Sequence, residues 1–172
     1  TIRTLDFGGD KFLVSPRLEK NPFLGYRSTR AFLKEKEMLK TQLRAIFKAG
    51  VYGKVQILFP MVSSIEEVRQ LQGVVREVEG ELMSQKTDFS KGVPIGVMVE
   101  VPSLAIMALK LMKEVDFVSI GTNDLVQFTL AVDRDNDLVS HLYQPLDPSI
   151  LWLIKNVVDA GNASGKSVSI CG

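Results

Sequence analysis

Ile95-Gly96-Val97-Met98-Val99-Glu100-Val101 is an unbroken apolar run of strand length with an acid near its end. Its apolar residues follow one another directly and do not alternate with polar ones, which marks a strand covered on both faces. Strands of that kind belong to parallel sheets with helices packed against them. Moving outward, Val55-Gln56-Ile57-Leu58-Phe59-Pro60-Met61 upstream and Asp116-Phe117-Val118-Ser119-Ile120-Gly121 downstream repeat the signal. Shorter extended runs cover residues 2–7 and 167–171.

Helical patterns fill the intervals. Phe32, Leu39, Leu43, Ile46 and Phe47 recur at helical spacing and predict one long helix over residues 28–47. Ser63-Ser64-Ile65-Glu66-Glu67 is a capping-box signature, so a helix is expected from there to about residue 83. Pro102-Ser103 opens a helix through residue 113, and residues 123–130 turn helical. Pro148-Ser149 starts a last helix that Gly161 or Gly165 ends, after a polar, irregular stretch over residues 132–148. Five strands alternating with four helical connections predict an α/β domain with a parallel sheet. Periodicity alone leaves open whether that sheet is doubly wound or part of a barrel. No Gly-x-Gly-x-x-Gly follows a strand, so dinucleotide binding has no support.

The 172 residues carry 21 basic and 20 acidic side chains, a net charge of +1. That balance gives no reason to expect nucleic acid or a membrane surface as partner, and no apolar run approaches a membrane span. A lone cysteine forms no internal disulfide, which suits a reducing cytoplasm. With one Cys and one His, a metal must be held by oxygen ligands, pointing to magnesium or manganese. Both ends fall in strand-like runs, and the sequence is expected to be a piece of a longer protein.

Active sites of parallel α/β proteins lie at the carboxyl ends of the strands. Here those ends carry Asp6, Glu100, Asn123-Asp124 and Cys171. A strand-end acid can simply reach solvent, but two carboxylates at successive strand ends favour a metal reading, with water and a phosphorylated substrate completing the shell. Arg3 lies within the first strand, Arg27 at a helix start and Arg134 beyond the Asn-Asp turn. In that strand's apolar run Arg3 needs a buried anion or a carboxylate, whereas Arg27 has the ordinary reading of a solvated cation and Arg134 that of a partner for a neighbouring aspartate; three on one rim suit a phosphate and a carboxylate. Cys171 has the alternative of an inert thiol, and His141 reads as structural, without a triad partner.

These motifs together resemble enzyme I, the phosphoenolpyruvate–protein phosphotransferase family of the bacterial sugar phosphotransferase system. Arg3-Thr4-Leu5-Asp6-Phe7-Gly8-Gly9-Asp10-Lys11 looks like its arginine-strand motif, and Asn21-Pro22-Phe23-Leu24-Gly25-Tyr26-Arg27 like the next. Met98-Val99-Glu100-Val101-Pro102, Ser119-Ile120-Gly121-Thr122-Asn123-Asp124-Leu125, Thr129-Leu130-Ala131-Val132-Asp133-Arg134 and Ile170-Cys171-Gly172 follow in the family's order. Pyruvate phosphate dikinase and phosphoenolpyruvate synthase share similar Glu and Asn-Asp motifs and form the enzyme alternative. A non-catalytic dimerisation segment is the alternative of a different class.

The resemblance implies a single partial (β/α)8 TIM-barrel domain over residues 1–172, the phosphoenolpyruvate-binding part of a homodimeric enzyme. It implies Glu100 and Asp124 as ligands of magnesium (Mg2+), and Arg3, Arg27, Asn123 and Arg134 as substrate contacts, the arginines on phosphate. It implies Cys171 as the acid that protonates the enolpyruvate methylene to give pyruvate. A complete barrel takes at least about 200 residues, so about three of its eight strands are expected outside this sequence. A further phosphate-binding arginine is expected upstream of Thr1. The phosphorylated histidine, and docking of the histidine-containing phosphocarrier protein, are expected in another domain, so the 172 residues alone are expected to be inactive.

Overall fold

The structure, a computed structural model, describes residues 1–6 and 20–172. Residues 7–11, the second half of the first arginine motif, lie outside the described residues. Among the described residues, five strands form one parallel sheet: β1 (Ile2–Arg3), β2 (Ile57–Phe59), β3 (Ile95–Val99), β4 (Phe117–Gly121) and β5 (Ser167–Cys171). Their spatial order is β1-β2-β3-β4-β5. Each strand therefore lies beside its neighbour in sequence. A doubly wound sheet reverses its order at a switch point, and none occurs here. Stepwise addition with right-handed crossovers sends successive helices to one face, the winding of barrel staves. The predicted fold class holds.

Side-chain alternation along the strands separates the two faces. Ile57, Phe59, Val97, Val99, Val118 and Ile120 join the main core with helical residues such as Leu43, Phe47, Leu71 and Leu111. The opposite face has only a small buried cluster of Leu58, Met98 and Phe117. The helix-covered side is the dry one, and the other side is left for polar groups near the strand ends.

Several elements are shorter than the sequence predicts, among them β1, which is only Ile2–Arg3 where an extended run over residues 2–7 is expected. Strand β2 ends at Phe59 because Pro60 offers no N–H to a neighbour and Met61 turns the chain at a φ of 56°. The long helix expected over residues 28–47 is two, α1 (Ser28–Lys34) and α2 (Lys36–Ala49). Glu35 breaks it at φ −105° and ψ 64°, yet its N–H still bonds Ala31 O at 2.8 Å. The break thus keeps the Glu35 donor paired.

The capping box is real but shifted. Helix α3 (Ile65–Ser84) has Ser64 accepting from Glu67 N, while the Glu67 carboxylate reaches back to Ser63 N at 2.6 Å. The helix expected to run through residue 113 is broken at Met107 into α4 (Pro102–Ile106) and α5 (Ala108–Leu111). Helix α6 (Thr122–Leu130) starts with no loop after β4, and α7 (Pro148–Ser164) is capped by Asp147. Among the described residues, no helix is long and apolar enough to cross a membrane.

Candidate functional site

Strand register puts the site together. Met98 pairs with Ser119 and Ser119 with Ser169, while Gly121 pairs with Cys171. One residue beyond β3, Glu100 comes level with Gly121. A Cβ on Gly121 would stand 2.6 Å from Glu100 Oε2, so the absent side chain makes room for that carboxylate. Glu100, Gly121 and Cys171 thus form one level at the carboxyl ends of three successive strands.

All seven residues singled out from sequence line one cavity of about 380 Å³: Arg3, Arg27, Glu100, Asn123, Asp124, Arg134 and Cys171. Arg27 is delivered by the extended residue before α1. Asp124 sits in the first turn of α6, three residues past the strand rather than at its end. Arg134 arrives because Ala131, left-handed at φ 54°, ends α6 and folds the chain back. The Gln127 side chain then accepts from Arg134 N at 3.2 Å, fixing the return. His141 stands in an exposed 3-10 turn, Ser140–Leu142, away from this lining.

Charge alternates across the cavity. Arg27 makes a forked pair with Asp6, Nε to Oδ1 at 3.2 Å and Nη2 to Oδ2 at 2.8 Å. The same Nη2 also donates to Asp124 Oδ2 at 3.2 Å. Arg3 Nη1 approaches Asp6 at 3.6 Å, and Arg134 Nη1 approaches Asp124 Oδ1 at 3.4 Å without forming a hydrogen bond. Burial works against the Arg27 charge, but Asp6 foremost, then Asp124 and Glu100, hold its pKa above the ordinary value. Arg3 finds in Asp6 the carboxylate that its apolar run calls for, although its side chain is 49% exposed.

Glu100 is buried at 3% exposure and accepts a hydrogen bond from Met61 N at 2.6 Å. Its pKa is pushed up from 4.5 to about 7, by burial first and then by the charges of Asp124 and Asp6, against the Met61 N–H. The folded state therefore holds an extra proton between those two values. Raising the pH through that window should lower the stability of the metal-free protein, by roughly 3 kcal/mol in all. Urea melts from pH 5 to 8 would read this slope, and Glu100→Gln should flatten it. A wild-type stability without pH dependence in that range contradicts the assignment.

Among the described residues, no three His, Cys, Asp or Glu side chains form a ready-made metal centre. Glu100 and Asp124 offer two carboxylates, and Asp124 Oδ1 is a buried acceptor with no hydrogen bond. Cys171 is exposed, its Sγ 3.5 Å from Ile120 O and 3.6 Å from Ser119 Oγ. Asn123 Oδ1 lies 3.4 Å from the Tyr143 hydroxyl. Sequence reasoning placed Asp6 at a strand end but gave it no role, and it passed over the Met61 N–H. A signal for Asp6 existed: three arginines on one rim require counter-charges beyond two metal-ligand carboxylates. The Met61 N–H had none, because a backbone group leaves no mark in residue type.

The model of the phosphoenolpyruvate-binding domain of phosphoenolpyruvate-utilising enzymes matches residues 1–172. The chain belongs to that family. A phosphoenolpyruvate-protein phosphotransferase of Buchnera aphidicola (subsp. Acyrthosiphon pisum) is 52% identical over 173 residues, covering 99% of this chain. Proteins of the same name from Haemophilus influenzae and Geobacillus stearothermophilus are 51% and 49% identical, again over 99% of the chain. The chain spans 30% of the length of each of these relatives. Among solved structures, a citrate lyase from Burkholderia xenovorans aligns with a TM-score of 0.60 at 19% identity, over 78% of this chain and 40% of that one. An aldolase/citrate lyase family protein from Burkholderia cenocepacia aligns at 0.55 and 16%, over 80% of this chain and 55% of that one. At such identities these two speak to the fold alone.

Proposed function

We propose that this chain is the phosphoenolpyruvate-binding part of a phosphoenolpyruvate–protein phosphotransferase, which passes the phosphoryl group to a protein histidine and releases pyruvate. The observation that carries this reading is a set of buried polar atoms in one pocket that make no hydrogen bond among the described residues: Arg27 Nη1, and Arg134 Nη1 and Asp124 Oδ1, which face each other as an ion pair at 3.4 Å. Leaving such atoms without a hydrogen bond costs about 1–3 kcal/mol each, more when charged. Two guanidinium donors and a carboxylate oxygen with hydrogen-bonding capacity to spare suit an anion and a cation bound together.

Glu100 and Asp124 are the residues to hold magnesium, whose preference for a few carboxylates plus substrate oxygens they match. Bound there, the ion would neutralise charge on the transferring phosphoryl group. Arg3, Arg27 and Arg134 bind the phosphoryl oxygens, and Asn123 adds a substrate contact. Once the bond between phosphorus and the enol oxygen has broken, the enolate carbon takes its proton from Cys171, leaving a thiolate. Phosphorus bonds to the histidine of another domain, to which the histidine-containing phosphocarrier protein docks. On this reading the full-length protein is a cytoplasmic homodimer that serves sugar uptake.

Calorimetric titration of phosphoenolpyruvate into the full-length protein tests the reading. Affinity should require magnesium, and Arg134→Ala should weaken it about tenfold to a hundredfold, the effect of one or more charge-assisted hydrogen bonds. Binding indifferent both to the metal and to Arg134 sinks it.

A further inference from the structure

We propose that Asp6 is the positioning residue of the anion pocket, clamping one edge of Arg27 so that its remaining nitrogen is presented to the substrate phosphate. This rests on the reading of the pocket given above. A guanidinium carries five donors in a rigid plane, and a carboxylate that takes Nε and Nη2 together fixes both the position and the tilt of that plane. Asp6 makes that fork, at 3.2 and 2.8 Å. Asp124 takes a second bond from Nη2, and among the described residues Nη1 has no hydrogen-bond partner. The side chain of Asp6 is 7% exposed, so its charge is little screened.

The same carboxylate lies 3.6 Å from Arg3 Nη1, so one acid serves two of the three arginines lining the cavity. Phe23 adds a face contact, its ring centroid 5.9 Å from the Arg27 guanidinium carbon. Nothing in that stacking sets the rotation of the guanidinium within its own plane; the fork with Asp6 does. Asp6 itself is placed by the sheet and by α2, because Thr4 N bonds Leu58 O of β2 at 2.9 Å and Leu5 N bonds the side chain of Gln42 in α2 at 3.1 Å.

The test compares two ligands on the full-length protein with magnesium present: phosphoenolpyruvate, which carries the phosphate, and pyruvate, which does not. Asp6→Asn keeps the shape but removes the charge and turns an amide donor toward the guanidinium. It should weaken phosphoenolpyruvate about tenfold to a hundredfold and leave pyruvate within about twofold. Equal loss for both ligands overturns the inference, since Asp6 would then only support the fold. Unchanged or tighter phosphoenolpyruvate binding overturns it too, the latter marking Asp6 as a competitor of the phosphate. If the Asn variant fails to fold, Asp6→Glu keeps the charge and moves the carboxylate by one methylene. It should show the same phosphate-selective loss to a smaller extent, and an unselective loss or none counts against the inference. Arg134→Ala, titrated alongside, separates the two levels. If it too is without effect, the reading of the pocket falls and the Asp6 inference with it. Sensitivity to Arg134 without sensitivity to Asp6 overturns the Asp6 inference alone.

Discussion

Cys171→Ala in the full-length protein should slow pyruvate formation by about 100- to 10,000-fold, the range for loss of a positioned general acid. The expectation comes from placement. Cys171 ends β5 level with Gly121, on the rim that carries Glu100, and its thiol lines the same cavity as Asp124 and the three arginines. An inert core cysteine would sit under the helices instead, where the sheet's apolar residues are. If the thiol acts on carbon, phosphoryl transfer and proton transfer become separable. Phosphoenolpyruvate binding should then survive the substitution nearly intact. Exchange of the pyruvate methyl hydrogens for deuterium, which reads the carbon step directly, should be suppressed. Wild-type exchange rates in the variant contradict the role even if turnover falls for another reason.

Removing either carboxylate should have an effect of similar size by a different route. Loss of a group that merely orients a metal ligand costs about 10- to 100-fold in affinity, so loss of Glu100 or Asp124 itself should cost at least that. Glu100→Gln and Asp124→Asn are expected to abolish magnesium-dependent turnover at millimolar metal. The pH dependence distinguishes them. Because the Glu100 carboxyl titrates near 7, metal binding to the wild type must expel its proton in mildly acid solution. Apparent affinity should therefore fall about tenfold per pH unit below neutrality, and Glu100→Gln should lose that dependence along with most of the affinity. Metal affinity independent of pH, or turnover unchanged in either variant, counts against a site built on these two residues.

Much of this was legible because it is local. An apolar run such as residues 95–99, short, valine-rich and bounded by prolines, reads as a covered strand, and the acid following it falls at the strand's carboxyl end by chain order alone. The same logic found Asn123-Asp124 and Cys171, and the family's motifs identified which arginines to watch. Finer boundaries were less legible. The helix over residues 28–47 kept its apolar period straight through Glu35, where the chain nonetheless breaks, since Phe32 and Leu39 are both buried whether or not one helix carries them.

The amino-acid sequence by itself determined the number of strands, their parallel arrangement and the residue types at their ends, because strand period, apolar content and chain order are properties of short segments. Only the tertiary structure decided which charge meets which. Arg27 meets Asp6 across 21 residues and Asp124 across 97, and the Met61 N–H meets Glu100 across 39. Those pairings follow from distances through space across neighbouring strands, and a few ångströms decide whether a guanidinium nitrogen is paired or free. Arg3 is a further case: the apolar run around it called for a buried anion or a carboxylate, and only the fold shows that the carboxylate is Asp6, 3.6 Å away and shared with Arg27. Sequence names the groups at the rim; the winding of the sheet assigns their partners, and with them the few atoms left unpaired for a ligand.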